Sequence, residues 1–351
     1  MILIDALYIN SYGGKVLLEL LIETIFESGN VEEYFFILDK RLNSNWILNI
    51  PDGNKTVLIA SEKARKLEYK KVHVETNISA ILCFANVPPP IGVKNIPVFI
   101  YFHNTLLLNT KSLNYSVINR LKYKIKSYYI RFQNRQNYYW IVQSDLIQIS
   151  LCNCYRISLE KILILPFFNE NIVVKNVIRK KNYIYVADGV QQKNHSVLLS
   201  AWESLFYDYG LNPTLTLTFN EETYPTLKNK ILCLQRNGLN IKNLGVLEKE
   251  DLIRIYQENE FLIFPSLSES FGLPMVEACL SGCKILASNL SFVHQVIEAS
   301  ALFDPYDRNS IVALIYNLEV ENVLLPPSTL KIKNKVAEIL NYLNQNKYVQ
   351  G

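Results

Sequence analysis

Apolar runs and stretches of mixed polarity alternate along the whole chain, and the alternation restarts once. In the first half ILIDALYI, YFFIL, AILCF, PVFIYF and WIV read as strands, several of them apolar on both faces. Such strands belong to a parallel sheet covered by helices on each side. Between them, 15–26 and 113–133 carry helical patterns. The segment 166–181, PFFNENIVVKNVIRKK, has no clear period and reads as a linker. Beyond it YIYVA, TLTLTF, IKNLG, FLIFP, KILAS and ALFDP read as strands. Helices are expected over 195–207, 223–236 and 249–259, with another from about Ser291 and a terminal one over 329–347. Strands spaced by helices of this length are βαβ units. The expectation is an α/β protein of two doubly wound, Rossmann-like domains facing each other, spanning 1–170 and 171–328. A C-terminal segment, 329–351, would pack back on the first domain.

Composition adds limits. Of the 351 residues, 49% are hydrophobic, enough to bury a large core and too many for a disordered chain. No apolar run reaches the roughly 18–20 residues that span a bilayer. The start, MILIDALYIN, lacks a basic leader and carries Asp5 inside its apolar stretch, so it reads as a strand and not a signal peptide. The six cysteines form no C-x-x-C pair and read as buried free thiols of a reducing compartment, pointing to the cytoplasm. No Asp-x-Asp pair for metal–diphosphate binding occurs, so no metal and no cofactor is expected.

The richest stretch is SESFGLPMVEACLSG, residues 268–282. FLIFP ends a buried strand, and ligands sit beyond the carboxyl ends of parallel strands. Gly272 permits positive φ or close backbone approach, and Pro274 fits the first turn of a helix that stops at Gly282. A helix N-terminus attracts phosphate through its free N–H groups and dipole. Ser270, Phe271, Gly272 and Leu273 would form that cradle. Glu269 and Glu277, eight apart, could accept hydroxyls on either side of it. A nucleotide-sugar has that layout of hydroxyls, diphosphate and hydroxyls. The alternative is that both glutamates only cap or decorate a helix.

PSLSESFGLPMVEACLSG also resembles the signature of the retaining glycosyltransferases of family four, a Glu, seven residues, then a second Glu. Ser11–Lys15 resembles that family's glycine-rich first loop, Phe102-His103-Asn104 its His-containing strand end, Ile141–Ser144 the strand closing its N-terminal domain, and Ala187–His195 its donor-site loop. Ser288-Asn289 and Phe303–Pro305 fit its late pattern. The resemblance implies the GT-B architecture, two domains across a cleft. It implies that Glu277 binds the ribose and that Glu269 and the 270–273 backbone hold sugar and diphosphate. Lys193 would neutralise the leaving group, Gly13 and Gly14 would approach the phosphates, and His103 would face the transferred sugar. One departure stands out. The family often has an arginine five residues before the lysine, and here that position is Asp188. A carboxylate cannot replace a guanidinium, and Asp188-Gly189 could instead shape a tight turn. His195 could cap the following helix or contact a base.

Charge sets apart one region of the first half. Between Glu75 and Asp145 there are eight Lys/Arg and no acidic residue, which suggests an anionic partner. On a helical wheel Arg120, Lys124, Arg131 and Arg135 share a stripe beside Leu121, Ile125, Tyr128, Tyr129 and Phe132. That surface suits an anionic membrane or a lipid-diphosphate acceptor. An ordinary solvated helix is the plain alternative, and no nucleic-acid module is present.

The expected activity is therefore transfer of a hexose-type sugar, with retention, from a UDP- or GDP-sugar to a glycan acceptor. The acceptor would be lipid-linked, in surface polysaccharide synthesis of the O-antigen or capsule type. The protein would sit in the cytoplasm or on the inner face of the plasma membrane. The alternative is a non-catalytic protein of the same fold that binds a polyanion or membrane partner.

Overall fold

The computed structural model describes residues 1–10, 12–42, 44–108, 117–174 and 177–345. The chain divides into two compact units. The first runs to Phe168 and takes in the segment from Lys333 onward; the second is Asn169–Ile332.

The first unit contains β1 (Ile2–Ala6), α1 (Tyr12–Glu27), β2 (Tyr34–Asp39), β3 (Lys55–Leu58), α2 (Glu62–Glu75), β4 (Ala80–Cys83) and β5 (Val98–Tyr101). These are followed by α3 (Val117–Gln133), β6 (Tyr138–Val142), α4 (Asp145–Tyr155) and β7 (Ile162–Ile164). All seven strands are parallel, in the order β3-β2-β1-β4-β5-β6-β7. Every residue of β1, β2, β4 and β5 is buried, as a sheet covered on both faces requires. Two strand carboxylates are buried with them and are matched by cations: Asp5 by Arg65 at 2.7 Å and Asp39 by Arg41 at 2.6 Å. The sequence pattern missed β3, β7 and α2. β3 is a half-exposed edge strand with no apolar face. α2 is mostly polar, and Ser61 caps it by accepting from the Ala64 amide at 3.1 Å.

The second unit contains β8 (Lys180–Tyr185), α5 (His195–Tyr209), β9 (Leu215–Leu217), α6 (Pro225–Arg236), β10 (Ile241–Asn243), α7 (Lys249–Glu258) and β11 (Asn259–Phe264). Then come α8 (Leu273–Leu280), β12 (Lys284–Ser288), α9 (Ser291–Val296), β13 (Ile297–Glu298), β14 (Ala301–Phe303), α10 (Arg308–Glu319) and β15 (Thr329–Leu330). Its six-stranded sheet is also parallel, in the order β10-β9-β8-β11-β12-β14. Tyr183 stacks on Phe261 at 5.1 Å and meets Trp202 edge-on at 5.5 Å, joining sheet to α5.

One element boundary is corrected. The C-terminal helix does not begin at Thr329. Thr329 and Leu330 pair antiparallel with β13, and the helix covers Val336–Gln345. The segment 166–181 does span the boundary between the units, at Phe168 and Asn169, with Phe167 and Phe168 buried at its start and its last two residues in β8. The six cysteines are free, though only Cys83 and Cys283 are buried.

Candidate functional site

In each sheet the strand order reverses once, between β1 and β4 in the first unit and between β8 and β11 in the second. The loops leaving such a pair of strands diverge and open a crevice at their carboxyl ends. In the second unit those loops are Val186–Asn194 and Pro265–Gly272.

These two loops are tied together. The Leu267 amide donates to the Gln192 carbonyl at 2.8 Å. Asn194, in the left-handed region at φ 58°, donates through its side chain to the Pro265 and Pro305 carbonyls at 3.2 and 2.7 Å. The buried Tyr185 hydroxyl donates to the Lys193 carbonyl at 2.7 Å and lies 3.0 Å from Ser266 Oγ. The result holds Lys193 Nζ 2.6 Å from Glu269 Oε1, both side chains largely buried. Tyr185, Asn194 and Ser266 were not singled out from sequence, because each has a partner 71 or more residues away.

Gly272 has φ +86°, and a Cβ there would come within 2.5 Å of Met275 Cε. The positive φ is the stronger demand for glycine, since the Met275 methyl ends a flexible side chain. Pro274 occupies the first turn of α8, so Ser270–Leu273 run into the amino end of that helix. One turn further in, Glu277 accepts from the Tyr256 hydroxyl at 3.3 Å. Burial pushes its carboxyl up to about 7, opposed by the Tyr256 hydrogen bond and the Lys249 charge. Arg179 secures the far end of α8. Its guanidinium donates to the carbonyls of Tyr256 and Asn259 at 2.9 and 3.1 Å and to that of Ser281. A Cβ on Gly282 would strike Arg179 Nη2 at 2.6 Å. A cation at helix C-termini complements their dipoles. Sequence reading had placed Arg179 in a linker.

Asp188 accepts from the Gly189 amide at 2.8 Å. Gly189 is packed so tightly that a Cβ would meet the Tyr224 ring at 2.4 Å. This fits the reading of the pair as a shaped turn. His195 does not cap α5. It is the first helical residue, buried between Tyr185 and Phe219, and neither ring nitrogen has a hydrogen-bond partner. Burial first, and the Lys193 charge second, lower its pKa to about 3.

In the first unit, Gly13 and Gly14 lie in the first turn of α1 and not in a loop. A Cβ on Gly14 would sit 3.3 Å from Ile9 Cδ1 and 3.4 Å from His103 Nε2. His103, just past β5, receives its position from Asn86, whose Oδ1 accepts the His103 amide at 2.7 Å. The ring Nε2 is 3.3 Å from Asn86 Nδ2, and Nδ1 is without a partner. Burial brings its pKa down to about 4, so the ring is neutral near pH 7.

On α3, Ile118, Leu121, Ile125, Tyr128 and Phe132 are all exposed, between 57% and 78%. Their spacing of three and four residues makes one continuous apolar stripe. Lys124 and Arg131 flank it as expected, and Arg120 is partly buried. Arg135 does not belong to the helix, which ends at Gln133. Asn134 accepts from Trp140 Nε1 at 3.1 Å, and the Arg135 carbonyl accepts from the Tyr138 amide, turning the chain into β6. Ser11 and residues 109–116 lie outside the described residues.

Residues 168–331 match the family model of glycosyl transferases group 1. The matched stretch coincides with the second unit. Among curated proteins, the serotype-specific mannosyltransferase WbdA of Escherichia coli is 33% identical over 125 residues, 34% of this chain and 15% of WbdA. The O-antigen chain mannosyltransferase RfbU of Salmonella typhimurium is 24% identical over 207 residues, 55% of this chain and 53% of RfbU. The chain therefore spans about 15% of the length of the first relatives it matches. Among solved structures, Anabaena HepE in complex with UDP and glucose aligns with TM-score 0.66 at 15% identity, over 99% of this chain and 95% of that one. A glycosyltransferase from Rickettsia africae aligns with TM-score 0.66 at 14% identity, over 99% and 93%. At those identities the likeness is one of fold: two Rossmann-like α/β units, as in GT-B glycosyltransferases.

Proposed function

We propose that the protein is a retaining glycosyltransferase. It would move a hexose from a UDP- or GDP-sugar to a hydroxyl of a lipid-linked glycan, in surface polysaccharide synthesis of the O-antigen or capsule type. The observation that carries this reading is the Lys193–Glu269 pair that ties the loop after β8 to the loop entering α8, at a strand-order reversal. The mannosyltransferase relatives support the substrate class.

In this reading the donor diphosphate lies against the Ser270–Leu273 backbone and Lys193. Glu277 accepts the ribose hydroxyls, and Glu269 accepts those of the transferred sugar. Breaking the sugar C1–oxygen bond puts charge on the leaving diphosphate, where Lys193 and the helix dipole stabilise it. The acceptor hydroxyl oxygen forms the new bond to C1 on the same face, and its proton passes to a diphosphate oxygen. No protein nucleophile is required. Lys193 and the α8 amides supply the positive charge, so we infer metal-independent action. In the first unit, the neutral His103 offers a nitrogen to a sugar hydroxyl. The α3 stripe with its basic flanks suits the anionic inner leaflet where a lipid-linked acceptor resides.

A panel of UDP- and GDP-sugars tests this by thermal shift and slow donor hydrolysis, with the product anomer read by NMR. Stabilisation and hydrolysis should both vanish in Glu277→Ala. If no nucleotide-sugar gives a response, the non-catalytic binder, which Asp188 at the usual arginine position favours, replaces the enzyme.

A further inference from the structure

The crevice of the first unit contains a cluster that the donor chemistry leaves unused. Glu62 opens α2 with an exposed side chain. Its Oε2 accepts from the Tyr8 hydroxyl at 3.0 Å, and its Oε1 accepts from the Tyr129 hydroxyl. Tyr8 lies two residues past β1, at the strand-order reversal, and Tyr129 is on α3. Both rings are half-buried. Behind Tyr8, with its guanidinium 5.7 Å from the ring centre, lies Arg65, which is 1% exposed. Arg65 donates to Asp5 at 2.7 Å and to the Val87 carbonyl at 2.9 Å, which leaves Nη1 a buried donor without an acceptor.

An ionised carboxylate offers about four lone-pair sites. Tyr8 and Tyr129 engage two, so Glu62 keeps acceptor capacity directed at solvent. Phenol faces beside an anchored carboxylate provide both things a hexose presents to a protein, an apolar ring face and adjacent hydroxyls. At about 100° per residue, Tyr129 lies on the edge of the exposed α3 stripe, with Lys122 and Lys126 further round the same flank. Those two lysines are one turn apart and make no ion pair among the described residues. Burial, and then the Lys122 charge, lower the pKa of Lys126. An anion there would relieve that repulsion.

We propose that Tyr8, Glu62 and Tyr129 form a hexose-binding subsite for the sugar end of the acceptor. The acceptor's phosphate lies toward Lys122 and Lys126, and its hydrocarbon end lies along the α3 stripe. The lipid-linked part of this assignment rests on the reading given under Proposed function; the sugar subsite is tested without a nucleotide. The full chain is mixed with the methyl glycosides of mannose, glucose, galactose and N-acetylglucosamine at tens of millimolar, and saturation transfer is read by NMR. The subsite requires transfer to at least one glycoside. Loss of one hydrogen-bonding group should weaken binding about fivefold in Glu62→Gln and in Tyr129→Phe, with near-UV circular dichroism confirming that each variant is folded. Binding to the wild type that neither variant weakens overturns the assignment, as does absence of transfer from every glycoside. A chain that binds glycosides at Glu62 but ignores every nucleotide-sugar keeps the subsite and removes the donor reading.

Discussion

Lys193 and Glu269 come from loops after different strands, yet their Nζ and Oε1 atoms lie 2.6 Å apart with 16% and 13% of the side chains exposed. Tyr185 and Asn194 fix that approach through the backbone on either side of it. In the absence of donor, Glu269 holds the cation that the diphosphate would need. Glu269→Gln should therefore free Lys193 and tighten binding of the bare nucleoside diphosphate by about 1 kcal/mol, roughly fivefold, while donor hydrolysis falls. Lys193→Met should weaken the same ligand and lower hydrolysis by about 10²–10³-fold. Calorimetric titration with UDP and GDP separates the two. Equal weakening by both variants would refute the switching role of the pair.

Gly189 and Gly272 are restricted for different reasons, and their variants should behave differently. At Gly189 the obstacle is the Tyr224 ring, 2.4 Å from a new Cβ. Gly189→Ala should cost about 1–3 kcal/mol, and Tyr224→Ala should recover much of that loss in the double variant. At Gly272 the φ of +86° adds backbone strain to the contact with Met275. Removing Met275 should then leave about 1–2 kcal/mol of the Gly272→Ala cost in place. Chemical denaturation of the four single variants and two pairs measures both couplings.

Glu277 and the two buried histidines make opposite contributions to stability against pH. Glu277 has its carboxyl raised from 4.5 to about 7 when folded. Between those values the folded chain keeps a proton that the unfolded chain has released, so this group lowers stability as pH rises from about 4.5 to 7. The upper limit of that loss is about 3 kcal/mol. His103 and His195 fall from 6.5 to about 4 and about 3. The unfolded chain takes up their protons first, so they lower stability as pH falls below about 6.5. The two effects oppose each other between 4.5 and 6.5. Glu277→Gln should raise stability at pH 8 and, because the two histidines already outweigh the one carboxyl in that window, steepen the climb of stability with pH there. Urea midpoints at four pH values would show it, and a Glu277→Gln curve parallel to the wild type would rule it out. Nucleotide affinity should rise from pH 6 to 8 in the wild type, as Glu277 ionises to accept ribose hydroxyls.

Local signals made the α8 turn legible: an apolar strand, a glycine, a proline and a helical period occur within 20 residues. The two parallel sheets were legible for the same reason, since strands apolar on both faces leave few alternatives. Arg179 was not legible, because its acceptors are carbonyls 77 to 102 residues away. The Asp5–Arg65 pair, 60 residues apart, was hidden likewise. His195 looked available for a cap because Lys193 and Asn194 precede it. Its burial is set by Tyr185 and Phe219, which the sequence places on other elements. The apolar stripe of α3 was visible as a periodicity, but only the structure shows that this face is turned to solvent. Arg135 was misplaced because the wheel was carried past a helix end that Asn134 and Trp140 determine.

The α3 stripe leads to a measurement on membranes. Five large apolar side chains stand in solvent on one helix face, between basic residues. Burying such side chains contributes about 1.5–3 kcal/mol each when complete, and each nearby Lys or Arg adds about 1 kcal/mol at an anionic surface. Partial insertion of three or four of them suffices for reversible attachment. The protein should float with vesicles containing anionic phospholipid and less well with neutral ones. Raising the salt should weaken flotation without abolishing it, because only the charge contribution is screened. Leu121→Ser with Ile125→Ser should remove the salt-resistant part, and Lys124→Gln with Arg131→Gln the salt-sensitive part. These positions are exposed, so neither pair should lower the melting temperature by more than a few degrees. Flotation that is absent at both salt concentrations, or unchanged in both pairs, would show that α3 does not meet the bilayer.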